Sequence, residues 1–272
     1  MYKAGFIGVG NMGSALAKAA ARSISPADIA ISNRTYAKAE RLAGELGCTP
    51  VRSNIELAKS SRYIFLGVKP ANLLDVAREI APAVNADVYA DPSAHIIVTM
   101  TASVSRAAVL EILHCPVIQI VPNTPAAIGQ GMTIYTGDEE ALSHTDGMKE
   151  ILKGSGDFLY LPEDKVGLVS SISGCTPAYA YMFISALADG GVYCGASRED
   201  AIRLAAKAVM GAAAMILETG EHPDKLKDDV CSPGGTTIAG VEVLEKSGFR
   251  HASAMAIIAA AEKTVGKKLG FL

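Results

Sequence analysis

With 272 residues the chain is long enough for one large or two modest domains around a sizeable core. Half of it is hydrophobic, only 6% is aromatic and Trp is absent, so Ala, Val, Ile and Leu fill the interior; that suits helices packed on a sheet or on each other, not a β-sandwich. A net charge of −3, with Lys and Arg scattered along the chain, excludes the basic footprint of a nucleic-acid or anionic-membrane binder, and neither partner is expected.

A strand pattern begins almost at Met1, which leaves no room for a secretory signal. Short β-branched runs predict strands over residues 3–9, 28–32, 63–68, 96–100 and 117–121. Between them, helical spacing predicts helices over 12–22, 35–46, 55–60, 71–81 and 103–114. Alternating β and α units argue for a doubly wound parallel sheet, since parallel strands need crossover connections. Two further strands, 132–136 and 157–161, extend its far edge, joined by a polar surface helix over 139–153.

After Pro162 strand patterns vanish, and Ala-, Gly- and Met-rich helices are expected over 165–193, 198–218, 223–230, 236–247 and 251–267. Residues 166–188 carry no charge and are long enough to span a bilayer, yet Ser170, Ser171, Ser173, Thr176 and Pro177 interrupt the stretch. We read it as a helix buried in protein. Helices this apolar in about 110 residues would be poorly covered in a monomer, and a helical dimer removes the exposure. The cysteines Cys48, Cys115, Cys175, Cys194 and Cys231 form no C-x-x-C pair, and the five histidines show no ligand spacing. No metal is expected. The cysteines read as buried, reduced thiols of a cytoplasmic protein.

Gly8-Val9-Gly10-Asn11-Met12-Gly13 matches G-x-G-x-x-G, and it joins a strand to a helix, the context that its mechanism requires. Gly8 permits the tight turn, Gly10 lets backbone approach a pyrophosphate, and Gly13 lets helix pack on strand. The helix start, Asn11 and Met12 included, offers free N–H groups and a positive dipole end. At the end of the second strand, Ser32-Asn33-Arg34-Thr35 contains no acid to hold a ribose 2′-OH. A carboxylate there would repel a 2′-phosphate, whereas Arg34 can pair with it and Ser32 and Asn33 can add hydrogen bonds, so NADPH is favoured over NADH. Val68-Lys69-Pro70 follows a strand at the sheet edge where ligands bind, with Pro70 placed to begin a helix. Val121-Pro122-Asn123-Thr124-Pro125 borders the same crevice, its prolines fixing a wall for the nicotinamide; both segments also read as plain turns.

In the second half, Cys231-Ser232-Pro233-Gly234-Gly235-Thr236-Thr237 is a polar loop with paired glycines that runs into a helix near Thr236. Its successive N–H groups suit a carboxylate, although the same residues also read as a turn with an N-cap. Taken together, residues 8–13, the Asn33-Arg34 pair, 68–70, 121–125, 173–179 and above all 230–238 resemble the pyrroline-5-carboxylate reductase family over nearly the whole chain. The resemblance implies an N-terminal Rossmann-type dinucleotide (NADP)-binding domain over 1–162. It implies an all-α dimerisation and substrate-binding domain over 163–272, with homodimers that assemble further into decamers. The implied reaction is reduction of 1-pyrroline-5-carboxylate to L-proline by NADPH, the last step of proline biosynthesis. Ser232, Gly234, Gly235, Thr236 and Thr237 then hold the substrate carboxylate, and the Thr237 hydroxyl lies near the imine nitrogen as the catalytic group.

The chain departs from the family at Cys175-Thr176, where a small Ser-Gly pair is usual. Two other readings compete. A β-hydroxyacid dehydrogenase or imine reductase of similar layout would carry a catalytic Lys on the long helix, whereas Lys165 is expected to precede that helix and the next Lys is Lys207. A non-catalytic NADP-binding redox sensor would give the Ser-Pro-Gly-Gly-Thr-Thr loop no purpose.

Overall fold

The computed structural model describes residues 1–88, 91 and 94–270. Its strands are β1 (Tyr2–Ile7), β2 (Ile29–Ser32), β3 (Thr49–Pro50), β4 (Ser61–Leu66), β5 (Ile96–Thr99), β6 (Val117–Val121), β7 (Gly131–Thr136) and β8 (Gly156–Tyr160). They form one sheet in the order β3-β2-β1-β4-β5-β6-β7-β8. The first six are parallel; β7 runs antiparallel to β6, and β8 runs parallel to β7. Strand order reverses direction at β1 and β4, in register at Ile7 and Leu66, which places the ligand crevice beyond their carboxyl ends.

The crossovers carry α1 (Asn11–Ser23), α2 (Tyr36–Leu46), α3 (Asn54–Lys59), α4 (Pro70–Val88) and α5 (Arg106–Leu110). Because helices cover both faces, adjacent strand residues bury on opposite sides and the strands read as unbroken apolar runs. On one side Phe6 stacks on Phe65 at 4.6 Å, packed with Leu16, Ile31, Val98 and Ile118. On the other, Ile7, Ile64, Leu66 and Ile97 pack against Leu73 and Ile80 of α4. Full burial of each such side chain stabilises by about 1.5–3 kcal/mol.

Several expectations are corrected. The two-residue strand β3 was not foreseen. The helix expected to end at 81 continues through Pro82 to Val88, held by the buried Ala83 and Val84. The helix expected over 103–114 is confined to Arg106–Leu110, because the Ser105 hydroxyl caps the Ala108 N–H while Thr101 Oγ1 accepts from Ser103 N in a preceding turn. The single polar helix expected over 139–153 is two, α6 (Glu139–Ser143) and α7 (Thr145–Leu152), and α7 buries Met148, Ile151 and Leu152. The break forms around Tyr63, whose hydroxyl donates to the His144 carbonyl and lies where a Cβ on Gly147 would stand.

The remaining helices are α8 (Glu163–Tyr193), α9 (Arg198–Thr219), α10 (Pro223–Asp229), α11 (Thr236–Lys246) and α12 (Phe249–Val265). The chain divides into two compact units: Met1–Gly174 with the segment from Ala261, and Cys175–Ala260. The first three turns of α8 belong to the first unit. Residues 271 and 272, the end of the expected helical domain, lie outside the described residues. The stretch 166–188 is not buried within this chain: Ile172, Tyr181, Met182 and Leu187 are exposed, as are Leu204 and Leu217 on α9. Among the described residues no helix is long and apolar enough to cross a membrane. The cysteines are free, but only Cys115 is fully buried and Cys194 is exposed, so a uniformly buried set is corrected as well.

Candidate active site

The glycine loop is shaped by contacts that leave no room for side chains. Gly8 has φ +90°, a conformation that favours glycine, and its N–H donates to the Ser32 carbonyl at 2.9 Å. A Cβ on Gly13 would collide with the Gly8 carbonyl oxygen. Gly67, at the end of β4, packs as tightly: a Cβ there would lie 2.5 Å from the same oxygen and 3.2 Å from Gly13 Cα. By contrast, a Cβ on Gly10 would meet nothing within 4 Å. Gly10 is the N-cap of α1 and supplies no side-chain cap, so the first N–H groups of the helix, from Asn11 and Met12 on, are left without intrahelical partners beside that open space. These residues fit a dinucleotide pyrophosphate, because the cradle is open only where backbone must approach the ligand.

The strand ends around the loop divide the remaining expected residues by task. Asn33 Oδ1 accepts from Val9 N at 3.1 Å and its Nδ2 donates to the Thr35 carbonyl, so this amide braces the glycine loop. Ser32 is fully buried and its hydroxyl donates to Asn54 Oδ1 at 2.7 Å. Arg34 is exposed beside them. Val68 packs on the Gly8 turn, Lys69 is exposed, and Pro70 opens α4, as read from the sequence. Pro122 and Asn123 are buried; Asn123 Oδ1 accepts from Met132 N at 3.0 Å, and its Nδ2 donates to the Ser173 carbonyl at 3.1 Å.

Two residues escaped the sequence reading. Asn54 links Ser32 to Glu79, with its Nδ2 donating to Glu79 at 2.9 Å, and nothing in its local pattern marks it. Gly67 carried a signal, a glycine inside the strand predicted over 63–68, which marks close backbone approach.

In the second unit, α11 begins at Thr236 with Gly235 as its N-cap and no side-chain cap, so the N–H groups of Thr236, Thr237 and Ile238 are free of intrahelical partners. The turn ahead of it closes by Gly235 N donating to the Ser232 carbonyl at 3.0 Å, and Gly234 takes φ +67°. The Ser232 hydroxyl sits where a Cβ on Gly235 would stand, so hydroxyl and free amides share one short loop. Asp229, just ahead, is held in an ion pair with Lys225 at 2.9 Å. In the middle of α8, Tyr179 donates to the Ala256 carbonyl, and burial together with Cys175, hydrogen-bonded to its hydroxyl, raises its pKa. Lys165 lies in the first turn of α8 and not ahead of it, exposed and beside Asp164. Among the described residues no group of three or more His, Cys, Asp or Glu is placed to hold a metal.

A doubly wound sheet with an open glycine cradle at its switch point, continued by a run of helices, defines a dinucleotide-binding oxidoreductase. The family model described as pyrroline-5-carboxylate reductase dimerisation matches residues 163–266, and one described as NADP oxidoreductase, coenzyme F420-dependent, matches residues 3–102. The chain belongs to the pyrroline-5-carboxylate reductase family. It is 38% identical to the pyrroline-5-carboxylate reductase of Escherichia coli (strain K12), over 96% of this chain and 97% of that one. It is 36% identical to that of Pisum sativum, over 97% and 95%. Among solved structures it is similar to the Plasmodium falciparum pyrroline carboxylate reductase with NADP bound, with a TM-score of 0.85 and 28% identity, covering 97% of each chain. The Streptococcus pyogenes enzyme gives a TM-score of 0.83 and 28% identity, covering 96% and 97%.

Proposed function

We propose that this chain reduces 1-pyrroline-5-carboxylate to L-proline with NADPH as hydride donor, NADH being the poorer one. The observation that carries the reading is the uncapped start of α11 behind Ser232–Gly235, an amide cradle for a carboxylate in a chain whose other unit presents an amide cradle for a pyrophosphate. Bound NADPH supplies the hydride that reduces the C=N carbon. Gly8, Gly10, Asn11, Met12 and Gly13 hold its pyrophosphate and Arg34 its 2′-phosphate, with Ser32 and Asn33 bracing that strand end and Val68–Pro70, Pro122 and Asn123 forming the walls. Ser232, Gly234, Gly235, Thr236 and Thr237 grip the substrate carboxylate and so fix the ring. The Thr237 hydroxyl orients the imine nitrogen. A nitrogen already protonated needs orientation alone, which fits a loop whose nearest carboxylate in sequence, Asp229, is paired with Lys225.

The division of labour follows the family: residues 1–162 bind the dinucleotide, and 163–272 bind substrate and dimerise through the exposed faces of α8 and α9, with dimers joining into decamers. Five free cysteines fit a reducing compartment, and the cytoplasm is the proposed location. The test is the loss of reduced-nicotinamide absorbance when 1-pyrroline-5-carboxylate is added to the purified protein and NADPH. Absence of consumption overturns the reading in favour of a redox sensor. Thr237→Ala turnover within about twofold of wild type, roughly 0.4 kcal/mol, removes the Thr237 role.

A further inference from the structure

A cavity of about 420 Å³ is lined by α1 and α2, with Gly10 and Asn11 of the glycine loop among its lining residues. Lys18 from α1 and Lys38 and Arg41 from α2 line it, as does Ser14, whose hydroxyl donates to the Val9 carbonyl at 3.0 Å. Glu45 is the one carboxylate among its lining residues and is engaged by Arg41 at 3.8 Å. Among the described residues neither Lys18 nor Lys38 forms an ion pair. Three cations and one carboxylate give the groove a net charge of +2 in a chain whose net charge is −3.

Cations drawn from two helices around one concavity repel each other unless an anion lies among them, and a walled groove focuses their field more than a flat surface does. Lys and Arg are the donors that suit phosphate oxygens. Ser32, Asn33 and Arg34, the residues assigned to the cofactor's 2′-phosphate, are not among those lining the groove, whereas Gly10 and Asn11 of the pyrophosphate cradle border it and its cations stand further along α1 and α2. We infer that this groove is a second anion site, for a free phosphate-type polyanion, separate from the dinucleotide's own phosphates. A ligand there lies against Gly10 and Asn11, where its arrival is felt by the cofactor cradle.

The experiment is calorimetric titration of the full chain with inorganic pyrophosphate, with and without saturating NADPH. Saturable binding is expected, retained with NADPH present and weakened about tenfold in the Lys18→Ala/Lys38→Ala double variant. Lys38→Glu, whose exposed position tolerates the change, is expected to weaken it further. Three results overturn the inference: no saturable binding, equal binding by the variants, or complete displacement by NADPH, the last assigning these cations to the cofactor.

Discussion

The side-chain amide of Asn123 donates to the carbonyl oxygen of Ser173, and that carbonyl needs an outside donor because Pro177, four residues on in α8, has no N–H to give it. The other end of the same amide accepts from Met132 N. Asn123 therefore couples the loop after β6 to β7 and to the first turns of the long helix. Asn123→Ala removes both bonds from a buried site and is expected to cost about 2–4 kcal/mol, read as a fall in melting temperature. Pro177→Ala restores a helical partner for Ser173. In a double-mutant cycle the Asn123→Ala cost is thus expected to be smaller on the Pro177→Ala background, and equal costs on both backgrounds would refute the coupling.

That relationship also shows where sequence reasoning stops. The glycine loop was legible because turn, close approach and helix start are encoded in six contiguous residues, Gly8 to Gly13. The start of α11 was legible for the same reason. The Asn123–Ser173 bond joins residues fifty positions apart, and only the tertiary fold brings them together. Tyr63 splits the 139–153 segment from still further away, reaching the His144 carbonyl 81 positions on, and the helix after the break buries Met148, Ile151 and Leu152. Pro82 misled in the other direction, since burial of Ala83 and Val84 outweighs its local tendency to end a helix.

Arg106 is mostly buried and bridges Asp138 at 2.7 Å and Glu163 at 3.2 Å, tying α5 to the start of α6 and to the start of α8. Burial pushes the Asp138 carboxyl upward, but the Ala141 N–H and Arg106 outweigh it and hold the pKa below the ordinary value. A lowered folded-state pKa stabilises the fold above the unfolded carboxylate value, and that stability is lost as pH falls through the lowered one. The melting temperature is therefore expected to fall below about pH 4, and to fall less steeply in Asp138→Asn. Identical acid profiles for the two proteins would show that this carboxylate does not contribute. Arg106→Ala is expected to cost about 1–2 kcal/mol at neutral pH, since both carboxylates are half-exposed and regain water.

Nucleotide choice tests Arg34. Ser32 is committed to Asn54 and Asn33 to the glycine loop, so Arg34 is the residue at this strand end left to recognise a 2′-phosphate by charge. Arg34→Asp replaces an attraction by a repulsion, and the ratio of kcat/KM for NADPH over that for NADH is expected to drop about a hundredfold or more, reversing the preference. An unchanged ratio removes Arg34 from the site.

Gly10 and Gly13 stand three residues apart and are expected to fail for different reasons. A methyl on Gly10 points into open space, so Gly10→Ala leaves the packing intact and its melting temperature close to wild type. The same methyl stands where the pyrophosphate must approach backbone, and NADPH affinity, measured by fluorescence titration, is expected to weaken about tenfold or more. A methyl on Gly13 collides with the Gly8 carbonyl, a rigid group already wedged against Gly67, so Gly13→Ala must push α1 away from β1. The expected result is a loss of about 1–3 kcal/mol in stability together with the loss of NADPH binding. If Gly10→Ala instead proves the less stable of the two, the cradle is packed shut where it should be open, and the pyrophosphate lies elsewhere.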